Sequence, residues 1–175
     1  MLDLVERPGT LQTSSAGRLF DGVAALLGQR TRVTYEAQAA IELEACAAGS
    51  SGPSAAGDYE PEVTLSGGMT VLDPAPAVAR VVAERDRGTP VPDIAAGFHA
   101  GLGRAVATVA AGLAGDNGLD TVALSGGVFQ NARLTEVVEH ELSARGLTVL
   151  VHRHVPPNDG GISIGQAAIA ALRSP

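Results

Sequence analysis

The stretch Leu124-Ser125-Gly126-Gly127-Val128-Phe129-Gln130-Asn131 joins a short apolar run that begins at Thr121 to a helical pattern from Asn131 to Arg145. A second unit of the same kind follows. Thr148 to His152 reads as a strand, Val155-Pro156-Pro157-Asn158-Asp159-Gly160-Gly161 as a turn, and Gly160 to Leu172 as a helix. Strand, turn, helix, repeated, is the order of an α/β fold in which helices lie against a mixed sheet.

Both turns are suited to ligands. Adjacent Gly126 and Gly127 let a backbone approach a bound group, and the N-terminus of the helix that follows offers N–H groups to an anion. Asn131 can cap that helix or hydrogen-bond a ligand, and a tight turn with an Asn cap remains the plain alternative. In the second turn Pro156-Pro157 stiffens the approach, and Asn158 or Asp159 can cap. A carboxylate at such a junction can also hold a hard metal or a metal–phosphate complex. In an open α/β sheet the loops after the strands gather on one edge, so the two turns are expected side by side.

Working outward, Thr13, Ser14 and Ser15 offer N-caps for a helix from Ala16 to Leu27, with Phe20, Val23, Ala24 and Leu27 on one face and Gly28 closing it. Asp21 borders that face. A second helix is expected over Glu36 to Ala48, with Ala40, Leu43, Glu44 and Ala47 at helical spacing. Residues 49–58 are rich in Gly, Ser and Ala and read as a flexible loop. Residues 59–73 read as a β-hairpin excursion, Glu62 to Leu65 and Met69 to Leu72 across Ser66-Gly67-Gly68. Pro76 to Arg85 reads as a short helix and Pro92 to Ala114 as a long one. The long helix has an apolar face through Ile94, Phe98, Leu102, Val106, Val109 and Leu113, with Gly97, Gly101 and Gly103 marking close packing. Residues 1 to 13 read as an extended lead-in with a Pro8-Gly9 turn. The whole of 1–175 reads as one segment.

Composition excludes several function classes. The 175 residues carry a net charge of −7, which argues against a nucleic-acid partner. All 12 basic residues are Arg, so this chain holds no Walker-A or Schiff-base lysine. The single cysteine, Cys46, excludes an internal disulfide framework and fits a reducing cytosol. The longest apolar stretch, Ala105 to Ala114, falls short of the ~20 residues that span a bilayer, so a soluble, cytoplasmic protein without membrane partners is expected. Aromatic residues make up 3% of the chain, so Ala, Val, Leu and Ile must fill the core.

The motifs SGGVFQN (Ser125–Asn131) and VPPNDGGISIGQA (Val155–Ala167), with TSSAGRLFDGVAALLG (Thr13–Gly28) and YEAQAAIELE (Tyr35–Glu44), occur in one order. In that order the chain resembles the C-terminal segment of the HypF carbamoyltransferases of nickel–iron hydrogenase maturation. The resemblance implies part of an ASKHA-type domain (actin/Hsp70-like, ribonuclease-H-like) related to threonylcarbamoyl-transferring proteins. It implies that Asp21 and Glu42 hold the nucleoside, that Ser125, Gly126, Gly127 and Asn131 lie beside adenosine and phosphates, and that Asp159 is a metal ligand. No catalytic residue is assigned.

The implied ligands are ATP or carbamoyl adenylate and a divalent metal (Mg, Fe or Zn). The implied acceptor is the C-terminal cysteine of HypE. The family's metal-binding histidine pair and first phosphate loop lie upstream of the matching segment. The rest of HypF or a complementary chain is therefore an expected partner, and self-association through an exposed apolar edge is plausible. Ala37 stands where the family commonly has Gly. A natural-product O-carbamoyltransferase fragment, or a catalytically inert nucleotide- or partner-binding remnant, are the alternatives.

Other groups read more plainly. His152 and His154 would share one face of a strand. His99 borders the long helix's apolar face and reads as a satisfied, partly buried histidine, with a site-lining role open. His140 reads as solvated and Cys46 as a buried structural thiol. Ser125 shows no Ser-His-Asp context in the sequence, which argues against a hydrolase.

Overall fold

A computed structural model describes residues 13–50 and 59–173. Residues 1–12 of the expected lead-in, with the Pro8-Gly9 turn, and residues 51–58 of the expected loop lie outside the described residues.

Helix α1 (Ala16–Leu26) starts at Ser15, whose side chain accepts the Arg18 N–H at 3.3 Å. Phe20, Val23 and Ala24 are buried along its inner face. Helix α2 (Gln38–Ala47) begins two residues later than its periodicity suggests. The cause is Ala37, held in the left-handed region at φ 61° and ψ 10°, where a helix cannot begin propagating. Ala39, Leu43 and Ala47 face inward from α2.

Strands β1 (Glu62–Ser66) and β2 (Met69–Asp73) form the expected hairpin, with Val63 opposite Leu72. Helix α3 (Ala75–Asp86) follows, then α4 (Val91–Asp116). Helix α4 is long and apolar enough to cross a membrane, but 61% of its most apolar window is buried inside the fold. It is the central core helix, packed by α2, α3 and α5. Ile94, Phe98 and Leu102 are buried as expected, whereas Leu113 is half exposed, so the apolar face fades toward its end. Phe20 meets Phe98 edge-on with ring centroids 5.3 Å apart. At Gly103 a Cβ would lie 2.6 Å from Cγ1 of Val137, so the glycine is what lets α5 approach α4.

Strand β3 (Thr121–Ala123) pairs in parallel with β4 (Thr148–Leu150), and α5 (Ala132–Ala144) crosses between them. The α/β class therefore stands, but the described residues hold two separate two-stranded sheets rather than one mixed sheet. Strand β4 also ends at Leu150, not His152. Its last backbone bond goes to Leu124, and the chain beyond turns away. His152 and His154 thus do not share a strand face. The final helix α6 (Ile162–Arg173) is exposed along its whole length, with Ile162, Ile164, Ile169 and Leu172 open to solvent.

Candidate functional site

The two glycine turns do meet. The Gly126 N–H donates to the Pro157 carbonyl at 3.0 Å, which ties the loop after β3 to the loop after β4. Gly126 has φ +101°, a conformation that favours glycine. A Cβ at Gly161 would fall 2.7 Å from the Pro156 carbonyl oxygen, so the turn Asn158–Gly161 closes only without a side chain there. Asn158, not Asp159, caps this turn by accepting the Gly160 N–H at 3.1 Å. Asp159 stays exposed and uncommitted to capping.

Against these joined turns the start of α1 and the face Ala37, Ala40, Ile41 and Glu44 of the α2 region close a cleft of about 680 Å³. Asp21, Gly127, Asn131 and Asp159 line it, from three different parts of the chain. Arg18 lines it too and pairs with Asp21 at 3.1 Å. Its carboxylates (Asp21, Glu36, Glu44 and Asp159) outnumber that one guanidinium. Such a wall accepts hydrogen bonds from hydroxyl or amino groups and repels a bare phosphate.

Asn131 both caps and reaches into the cleft. Its Oδ1 accepts the Leu134 N–H at 2.9 Å, and its Nδ2 lies 3.0 Å from Nε2 of His99. His99 is fully buried rather than partly so. Its Nδ1 can only donate to the Ala95 carbonyl, 2.7 Å away, which leaves Nε2 as the acceptor in a neutral ring. Burial pushes His99 down to about 4, with the Arg133 charge adding to the shift and the Ala95 bond opposing it. The ring is neutral at neutral pH.

The α5 N-terminus is less open to anions than the turn suggests. The Arg133 N–H is taken by Glu44 at 3.2 Å and the Leu134 N–H by Asn131. A side-chain carboxylate already sits where an anion was expected. Of the two glutamates, Glu44 rather than Glu42 lines the cleft. Glu42 does not line the cleft: Arg30 forks onto it at 2.7 and 2.5 Å, and Gln38 donates at 3.0 Å. Those donors, Arg30 first, hold its carboxyl below the usual range. Of the four residues at helical spacing, Ala40 and Glu44 line the cleft, whereas Leu43 and Ala47 face the core.

Ser125 and Gly126 stand at the rim and do not line the cleft. Ser125 Oγ lies 3.1 Å from Nε2 of His152, a contact the sequence left unseen because 27 positions separate them. Cys46 is half-buried, and desolvation raises its thiol above the ordinary value. His140 is exposed as expected. Asp159 supplies one carboxylate, and no group of three or more metal-ligating side chains exists among the described residues. On its own this set does not make a metal centre.

The profile of the family described as "Carbamoyltransferase, Kae1-like Domain, second subdomain" matches residues 2–166. The chain belongs to this family. It is 40% identical over 163 residues to the carbamoyltransferase HypF of Rhodobacter capsulatus, covering 92% of this chain and 20% of that protein. It is 42% identical over 166 residues to a carbamoyltransferase HypF homolog of Cupriavidus necator, covering 91% of this chain and 41% of the homolog. A crystal structure of full-length HypF in a phosphate- and nucleotide-bound form superposes with a TM-score of 0.80 at 37% identity, over 92% of this chain and 21% of that one. The HypF family and an ASKHA-type fold are thereby established for this segment. The chain spans about a fifth of the length of the Rhodobacter relative.

Proposed function

We propose that this chain is the nucleotide-facing part of a HypF-type carbamoyltransferase. In that reading, the cleft holds ATP or carbamoyl adenylate while the carbamoyl group passes to the C-terminal cysteine of HypE. The observation that carries it is the convergence of Asp21, Asn131 and Asp159 on one cleft beneath the joined glycine turns. The carboxylates suit the ribose hydroxyls and the base amino group, and Asn131 with the Gly126-Gly127 turn suits the region between nucleoside and phosphates. A divalent ion (Mg, Fe or Zn) would take Asp159 as one ligand, completed by donors from outside the described residues. The rest of HypF, on the same or a complementary chain, is the proposed source, and a cytoplasmic setting goes with this role.

The resemblance favours Glu42 as the carboxylate that holds the nucleoside, and the cleft lining favours Glu44. Calorimetric titration with Mg-ATP decides between them and tests the reading. Replacing a carboxylate that bonds the ligand removes a charge-assisted hydrogen bond, so Asp21→Asn is expected to weaken binding by about tenfold or more. Of Glu42→Gln and Glu44→Gln, only the variant that loses its ligand contact should match it. A folded wild-type chain that takes up no nucleotide would support the inert remnant instead, a reading favoured by the acidic lining and the occupied α5 N-terminus.

A further inference from the structure

We infer that His99, buried in the core and outside the cleft, is a positioning residue that fixes which polar group Asn131 presents to a ligand. Only the last step, recognition of a ligand by Asn131, rests on the proposed nucleotide cleft. An asparagine amide has two nearly isosteric orientations, and its neighbours decide between them. Here both neighbours agree. The Leu134 N–H needs an acceptor and receives Oδ1, at 2.9 Å. Nε2 of His99 needs a donor, because Nδ1 is spent on the Ala95 carbonyl, and receives Nδ2 at 3.0 Å.

Turning the amide over would set two N–H groups against each other at Leu134 and two lone pairs against each other at His99. Neither conflict could be relieved by water, since His99 is 0% and Asn131 9% exposed. The ring itself cannot swing. It is wedged between Phe20, with centroids 5.0 Å apart, and Phe98, at 6.3 Å. Phe20 precedes Asp21, so the residue that clamps the ring is next to one that lines the cleft.

Asn131 therefore has one amide N–H left uncommitted, while its Oδ1 already serves the helix. That free N–H calls for an acceptor on the group it recognises: a phosphate or acyl oxygen, a ring nitrogen or a ribose oxygen. A donor-only group such as an ammonium would find no match at that N–H. His99 thereby sets the donor sense of the residue from across the core.

The test uses the chain as it stands. In nitrogen-15 NMR of the wild type, His99 should show the tautomer with Nδ1 protonated and Nε2 bare; a protonated Nε2 would overturn the inference whether or not nucleotide binds. In titrations with Mg-ATP, His99→Phe keeps the aromatic wedge but removes the acceptor, and should weaken binding about tenfold. His99→Gln returns an acceptor near the place of Nε2 and should recover most of that loss. In an Asn131→Ala background, His99→Phe should change nothing further. Equal binding by wild type and His99→Phe, or a loss in His99→Phe that persists undiminished without Asn131, would refute the role. Failure of the wild type to bind Mg-ATP would sink the proposed function alone, leaving the tautomer to decide this inference.

Discussion

The chain contains one structural idea twice, and the two copies have different fates. Strand β3, the Ser125–Asn131 turn and α5 make one unit; strand β4, the Val155–Gly161 turn and α6 make the other. Each turn has an asparagine cap and a glycine that no other residue could replace. Yet α5 buries Leu134, Val138 and Leu142 against α4, while α6 leaves Ile162, Ile164, Ile169 and Leu172 exposed. Local sequence is enough to make a turn and start a helix. It does not supply the surface that the helix needs to cover. Gly103 supplies it for α5 by bringing α4 within reach, and no equivalent close approach is present for α6 among the described residues.

The sharpest way to break this contrast is to truncate both helices alike. Leu142→Ala in α5 should cost about 2–5 kcal/mol, the range for a buried leucine. Ile169→Ala in α6 should stay within about 0.5 kcal/mol, as at other exposed sites. Denaturant unfolding of the two variants measures both, and a large loss from Ile169→Ala would mean that α6 is covered in solution.

A second effect arises beside the α5 unit, at His99 of α4, which bonds Asn131. His99 titrates near 6.5 when unfolded and at about 4 in the fold. Because the folded value is depressed, the unfolded chain takes up a proton that the native ring refuses. Stability should therefore fall as pH drops from about 6.5 toward 4, by on the order of 3 kcal/mol, with no further loss from this group below that. Stability measured across that window should flatten in His99→Gln; an unchanged slope would show that carboxylates alone account for it.

A smaller effect than that of His99 lies where the α2 wall enters the cleft. Ala37 holds a left-handed conformation that disfavours a Cβ, so Ala37→Gly removes strain while loosening the unfolded chain. A gain of up to about 1 kcal/mol in thermal or denaturant unfolding is expected. A loss would show that the Ala37 methyl packs usefully.

What the sequence made legible follows the same division. Hairpin, helices and turns are readable because caps, glycines and apolar spacing act over a few residues, and for that reason Asn131 and Asp159 are found at element ends and Asp21 at the border of an apolar face. Glu42 and Glu44 were harder. Both are glutamates two residues apart, on opposite faces of α2, and which face meets the cleft depends on how α2 packs; Arg30, twelve positions away, bonds the one turned aside. The same limit applies to His99 and Asn131, and to Ser125 and His152. Each pair is made by the packing of separate elements, which no local pattern encodes. The sheet was over-read because strand periodicity gives no count of partners.

The hydrogen bond from Gly126 to the Pro157 carbonyl has a consequence for the entropy of recognition. Two loops that could wander separately are fastened into one rim, and the fixed backbone torsions of Pro156 and Pro157 stiffen one side of it. A ligand that touches both turns meets a surface already ordered, so little of its contact energy is lost in arranging them.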